Sequence, residues 1–390
     1  MIKPKIVTLT LVLTIATCLL PCGYAESFNR TYQLLDRIDG SPTYMLSLTI
    51  QQSLYEYYKE KSHSLTSEND FAKFVTPYAL KPIADSLEKI YTDDEDFTNA
   101  VLMILHQIPY EVTAPAKYSV ETIVENKGDC DLFSFIAASI IKAAEYEVAL
   151  LYYESQSHMN IGVKLSHSPY YAREQAYFVS YNGVDYYVAE TTGDNWQDGW
   201  RVGECPTQLK TAPVQVITLE NSDESTYGQV SASYKTLSPS SISLIVSSTF
   251  LIQGSSATLS GELSPSLQNE EIVIYIKVNN SPWTVLDAVK TDQKGTFTCT
   301  WNVESTGVCY VRASWSGNDD YGGADSSIQT VTVFSTYFVL LLAFIVVLAC
   351  IGVAVLIISR RTQPQTLEPQ PPEATLATKR FLISRQILIH

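Results

Sequence analysis

Phe338 to Ile358 is an unbroken run of 21 apolar residues without a single charge. In hydrocarbon every backbone N–H and C=O must be satisfied inside its own segment, so such a run can only be a helix. At ~1.5 Å per residue it is long enough to cross a bilayer. Arg360 and Arg361 follow at once, and this basic flank places the C-terminus in the cytoplasm and everything before the span outside. A second apolar run, Ile6 to Leu20, follows Lys3 and Lys5 and precedes Gly23-Tyr24-Ala25. It reads as a secretory signal peptide over residues 1–25, with a retained anchor as the alternative. The expectation is a single-pass cell-membrane protein with an external ectodomain in an oxidising compartment. The tail, 359–390, carries Pro364, Pro369, Pro371 and Pro372 and is expected to be short and disordered.

Charge is unevenly spread along the chain. Of its 26 basic residues, seven (Lys3, Lys5, Arg360, Arg361, Lys379, Arg380, Arg385) lie outside positions 26–358; of its 41 acidic residues, only Glu368 and Glu373 do. The middle of the chain therefore carries 19 basic against 39 acidic residues, a net −20. Such a surface repels nucleic acid and anionic membrane, and suits basic or neutral substrates better than acidic ones.

The stretch from Tyr118 to Leu165 carries the candidate chemistry. Gly128-Asp129 reads as a turn and N-cap, and Cys130 opens an apolar run that continues to about Glu145 without Gly or Pro, the pattern of a buried helix. A cysteine in the first turn of a helix faces free N–H groups and the positive dipole end, which favour thiolate over thiol. The charges of Asp129 and Asp131 oppose that effect. Val148 to Tyr153 reads as a buried strand. His158 opens a second strand to Leu165, in which Met159, Ile161, Val163 and Leu165 alternate with His158, Asn160, Gly162 and Lys164. A third strand, Val184 to Glu190, ends on a carboxylate placed to orient an imidazole.

At these residues the chain resembles the transglutaminase-like superfamily. The resemblance rests on the Gly-Asp-Cys start, the helix after it, the His that opens a strand and the acid that closes the next. It covers roughly Phe97 to Pro206 and, loosely, Ser27 to Ile90. It implies a papain-like fold with Cys130, His158 and Glu190 in the nucleophile, base and orienting roles. The third position departs from the family's usual Asp. The resemblance also implies attack on an amide bond of a protein or peptide substrate through an acyl-thioester. The acyl group then passes to water, as in a cysteine protease or amidase, or to an amine. That chemistry requires no cofactor, with calcium left open.

The rest of the chain is read around this core. Residues 26–220 form one domain, with a helical part over 26–115 and a catalytic core over 116–206. Within the helical part, Pro82 marks a helix start, and Thr92 caps a helix with Phe97, Ala100, Val101, Ile104 and Ile108 as its stripe. The Asp93-Asp94-Glu95-Asp96 run complements that helix's dipole; as a calcium site it lacks loop-ligand spacing. Trp196 and Trp200 either wall a substrate groove or simply pack. Cys205 offers a competing disulfide with Cys130.

Residues 221–234 read as a polar linker. From 235 to 334, short β runs alternate with Ser, Gly, Asn and Asp turns, as in an immunoglobulin-like β-sandwich. Cys299 and Cys309 are expected to form a cross-strand disulfide in it, worth ~2–3 kcal/mol. Asn29 and Asn279 head glycosylation sequons. The expected fold class is thus an α+β papain-like domain, an all-β sandwich and one transmembrane helix over 335–358. Two functions compete: a surface-facing cysteine enzyme, and a non-catalytic binding or adhesion protein built on the same scaffold.

Overall fold

The chain opens with a hairpin in a computed structural model that describes residues 27–38 and 40–361. The expected signal peptide, and the tail beyond Arg361, lie outside those residues. β1 (Ser27–Leu35) and β2 (Pro42–Gln51) pair antiparallel, Ser27 against Gln51. Leu46, Leu48 and Ile50 are buried at every second position, as are Tyr32 and Leu34, which is a strand period rather than a helical one. The helical pattern expected from Ser27 therefore holds only from Gln52 onward.

α1 (Gln52–Lys59), α2 (Pro77–Glu88) and α3 (Asp94–Leu105) follow. Pro77 occupies the first turn of α2, and Pro82, expected there, lies inside the helix. A proline inside a helix leaves the carbonyl four residues back without its N–H. Here Gln229 Nε2 donates to the Tyr78 carbonyl at 3.1 Å in its place. Asp93 rather than Thr92 caps α3, accepting from the N–H groups of Glu95 (3.0 Å) and Asp96 (3.3 Å).

α4 (Ser119–Glu125) leads to α5 (Cys130–Ala143), which starts and ends close to where the apolar run predicts. Leu132, Phe133, Phe135, Ile136, Ile140 and Ile141 of α5 are fully buried. Five strands stand behind it: β3 (Val148–Tyr153), β4 (His158–Val163), β5 (Phe178–Tyr181), β6 (Val184–Ala189) and β7 (Gln215–Ile217). They form an antiparallel sheet in the order β5-β6-β4-β3-β7. One face (Leu150, Met159, Ile161, Ala189) joins α5 in the main core. The other (Leu151, Tyr153, Val188) is covered by Cys205 and Leu209.

The stretch 221–234 is not a free linker. β8 (Ser231–Ser233) pairs with β2, and Val230 and Ala232, two residues apart, are buried in the main core. A two-sheet arrangement follows, built from β9 (Ser241–Ile242), β10 (Ile245–Val246), β11 (Phe250–Ile252), β12 (Ser256–Ser264), β13 (Glu271–Val278), β14 (Thr284–Lys290), β15 (Thr296–Asn302), β16 (Gly307–Gly317), β17 (Gly322–Asp325) and β18 (Gln329–Phe334). One sheet runs β10-β12-β15 with β9 on β12, the other β11-β18-β16-β13-β14 with β17 on β16. Leu259, Phe297 and Trp301 of the first meet Ile274, Val311 and Trp315 of the second in one core.

The expected disulfide in this module is not formed: Cys299 and Cys309 are free thiols. β15 pairs with β12 while β16 pairs with β13 and β18, so the two cysteines are not the cross-strand neighbours that the short intervening turn suggests. Asn29 and Asn279, the sequon residues, are both exposed.

The sandwich is joined to the first half by polar contacts. Arg312 pairs with Glu56 at 2.7 Å, the Ser53 N–H donates to Asp325 at 2.7 Å, and the Trp283 N–H to Glu60 at 2.9 Å. The described residues up to Thr336 accordingly form one compact unit. α6 (Thr336–Arg361) carries the apolar run; an 18-residue window within Thr336–Ser359 has a mean hydropathy of 3.3, and none of it is buried. It is long and apolar enough to cross a membrane.

Candidate active site

Cys130 is the first residue of α5, where the sequence places it. Asp129 occupies the N-cap position with extended backbone, but its side chain does not cap the helix. Its Oδ2 instead accepts from the Thr113 N–H at 2.8 Å. The N–H of Cys130 has no partner among the described residues, so the positive end of α5 opens beside the sulfur. Ser134 fixes this first turn from within: its hydroxyl donates to the Cys130 carbonyl at 2.7 Å and meets the Thr191 hydroxyl at 3.1 Å. The second contact ties the start of α5 to the chain just after β6.

His158 opens β4, and Glu190 follows the last residue of β6. The two meet. His158 Nε2 lies 2.9 Å from Glu190 Oε2. The Cys130 sulfur lies near the same ring and helps to raise its pKa, while its own hydrogen bond goes to the Ser157 carbonyl at 3.9 Å. The longer side chain at the third position, relative to the Asp that the resemblance implies, therefore reaches the imidazole.

Glu190 is 1% exposed, and an ionised carboxylate so buried needs partners. It has four: His158, the Asn160 amide at 3.3 Å, and the Thr192 N–H and hydroxyl at 3.0 and 2.6 Å. Burial works to raise its pKa, but the His158 contact and the Thr192 bonds outweigh it and hold the carboxyl below its ordinary value. His158 shows the mirror image. Burial works against the imidazolium, and the proximity of Cys130 and Glu190 overcomes it, holding the ring up to about 10. The set is arranged to keep an imidazolium between two acidic groups.

Asp131 lies beside this centre with its pKa raised to about 8, first by burial and then by the hydrogen bond and charge of Asp129. A carboxyl so raised tends to be protonated near neutral pH, which weakens the repulsion that Asp131 would exert on a thiolate at Cys130.

The other sequence candidates separate cleanly. Cys205 is a free, buried thiol on the sheet face away from α5, so it does not bind Cys130. Burial, chiefly, pushes it up to about 12. Trp196 packs against the main core and, with Trp200, stands behind His106. In the acidic run, Asp93 caps α3, and Glu95 accepts the N–H groups of Tyr170 and Tyr171 at 2.8 Å each. His167 Nε2 lies 2.9 Å from Asp93 and its ring is held up to about 8, by that contact first. Asp93, Asp94 and His167 bring three possible ligand atoms within 4.8 Å of one another.

His106 is the residue that sequence reading undervalues. It is 4% exposed at the C-terminal end of α3, and its Nε2 lies 3.2 Å from the Glu190 carbonyl oxygen. Burial first lowers its pKa, which keeps the ring neutral. Neighbouring chain has to be small here: a Cβ on Gly199 would stand 2.5 Å from His106 Nδ1. No short-range pattern reveals this, because the contact joins positions 84 apart.

A cavity of about 520 Å³ opens beside His158, lined among others by His106, Pro109, Tyr110, Thr192 and Asp194. Tyr110 reaches it through a parallel bridge to Gly128, in which the Glu111 N–H donates to the Gly128 carbonyl at 2.7 Å. That bridge sets the cavity wall next to the start of α5. Gly128 itself has little room, since a Cβ there would lie 3.1 Å from Phe133 and Thr122 side-chain atoms.

No family model and no curated protein matches the chain. Solved structures that share features with it include a chitin binding domain from Burkholderia pseudomallei, at 12% identity and TM-score 0.19, covering 22% of this chain and 56% of that one. Another is a CARDB domain from Pyrococcus furiosus in complex with di-metal ions, at 9% identity and TM-score 0.18, covering 24% and 91%. A third is a beta-glucosidase from Listeria innocua, at 16% identity and TM-score 0.16, covering 24% and 16%. Each aligns about a quarter of this chain or less, and none carries an argument about its fold or activity.

Proposed function

We propose that this chain is a membrane-anchored, surface-facing cysteine enzyme of transglutaminase-like, papain-like type, acting on amide bonds of a protein or peptide. The observation that carries the reading is the His158–Glu190 contact of 2.9 Å, on a ring whose pKa the nearby sulfur at the start of α5 helps to raise. A thiol beside an imidazole that a buried carboxylate orients is the arrangement nucleophilic catalysis requires.

In the first half-reaction the Cys130 thiolate attacks the amide carbonyl carbon, and the oxyanion forms beside the unpartnered Cys130 N–H. The imidazolium of His158 then gives its proton to the departing nitrogen as the C–N bond breaks, leaving an acyl-thioester. In the second, His158 takes a proton from water or from an amine as that nucleophile attacks the thioester. Cys130 leaves as thiolate, and the imidazolium is restored. Glu190 holds the ring and its charge throughout.

α6 anchors the unit to the cell membrane, with Arg360 and Arg361 marking the cytoplasmic end and the immunoglobulin-like sandwich facing outside. The test is a trapped intermediate. Full-length protein in detergent is mixed with a peptidyl p-nitrophenyl ester and quenched in acid. An acyl adduct on Cys130 that hydroxylamine removes is expected. An adduct that forms equally in His158→Ala, or none in the wild type, leaves the non-catalytic binding role.

A further inference from the structure

The cavity beside His158 has a composition of its own. Its side chains offer one aromatic wall, Tyr110, which is 56% exposed, and one carboxylate, Asp194, which is exposed and has no hydrogen bond or ion pair among the described residues. Its only cationic group is His158, whose charge Glu190 already matches. Two lysines close in sequence to the start of α5 are paired: Lys127 with Glu111 at 2.6 Å, and Lys117 with Glu125. Tyr110 registers the local field. Its phenol is pushed up first by burial and then by Cys130, Asp129, Asp131 and Glu190, all of them acidic. A carboxylate ligand would meet the Asp194 charge and find only an imidazolium that Glu190 already matches.

We propose that this cavity is a specificity subsite for a positively charged side chain of the substrate, lysine or arginine, held between the Asp194 carboxylate and the Tyr110 ring. The volume of about 520 Å³ is ample for such a side chain and falls in the usual range of ligand sites. The aromatic face takes the methylene stem and the cation, and the carboxylate takes the charge. The inference rests on the enzyme reading only in calling the ligand a substrate; the subsite itself is a binding claim.

The experiment separates the two. Iodoacetamide labelling of Cys130 in the full-length protein is measured with increasing arginine amide, uncharged norvaline amide or glutamic acid diamide. With the α-amine of every probe acetylated, so that the side chain alone differs in charge, the arginine amide is expected to protect at about fivefold lower concentration than the norvaline amide, the size of an exposed charge contact reinforced by a ring. Asp194→Asn removes that preference and Asp194→Lys reverses it towards a carboxylate probe, glutaric acid monoamide. Saturation-transfer NMR of the same amides on Cys130→Ala protein gives the order of affinity without any reactive thiol. Equal affinity of the arginine and norvaline amides, or a preference that survives Asp194→Asn, overturns the subsite. Slow labelling of Cys130 with the preference intact on Cys130→Ala overturns the enzyme reading and leaves the subsite standing.

Discussion

Cys130 and Cys205 sit in the same half of the molecule, a sheet's thickness apart in environment, and the contrast defines what this fold does to a thiol. Cys205 is 1% exposed among Leu151, Tyr153, Val188 and Leu209, where burial makes a thiolate costly and pushes its pKa up to about 12. Cys130 is part-exposed, opens a helix, and shares an imidazole with a buried carboxylate. The side chain is the same in both. What differs is one helix terminus, one ring and access to solvent, and these separate a packing residue from a nucleophile.

The largest expected effect is selectivity. In native protein near neutral pH, iodoacetamide should label Cys130 at least ~10³-fold faster than Cys205 or Cys299, whose thiols burial holds up to about 12 and about 11. Peptide mapping of partly labelled protein reads this directly, and comparable labelling of Cys205 breaks the contrast. Labelling after denaturation should find all of Cys130, Cys205, Cys299, Cys309 and Cys350 as free thiols without prior reduction.

Glu190→Gln comes next. It keeps the shape but removes the charge that sustains the imidazolium, so Cys130 labelling should slow about tenfold. The His158 ring, followed by NMR titration, should lose its pKa of about 10 and move towards its ordinary value. An unmoved titration would mean that Glu190 acts only as packing.

A smaller signal lies in stability. His158 is held above its ordinary pKa of about 6.5, so the folded state binds its proton more tightly than the unfolded chain does. Its contribution is complete below about 6.5 and is lost as pH rises to about 10. Thermal unfolding should therefore fall across that window in the wild type and fall less steeply in Glu190→Gln. Smallest of all, Cys205→Ala should lower stability by about 1 kcal/mol, as removal of one buried sulfur implies, and leave Cys130 labelling unchanged.

The candidate site was legible in the sequence because each of its parts sits at an element boundary. Cys130 begins a helix, His158 begins a strand and Glu190 ends one, and boundaries of this kind follow from local pattern. The membrane-length helix was legible for the same reason. What escaped was non-local. β1 and β2 carry a two-residue period that composition alone blurs with the helices after them, and only pairing of Ser27 with Gln51 reveals it. The partners of Cys299 and Cys309 depend on which strands neighbour each other, so ten residues of separation misled. His106 meets Glu190 across 84 positions, and Tyr110 reaches Gly128 through a single bridge. Val230 and Ala232 are buried because β8 finds β2, although their surroundings in the sequence are polar.

The most direct test compares iodoacetamide labelling of Cys130 in native wild-type protein, native His158→Ala and the denatured chain at one pH near neutrality. The account predicts that the wild type reacts at least about tenfold faster than the denatured thiol, and that His158→Ala loses about 10²-fold from the wild-type rate. Equal rates in wild type and His158→Ala, with both folded, would contradict it, since the sulfur and the imidazole would then be neighbours without chemistry between them.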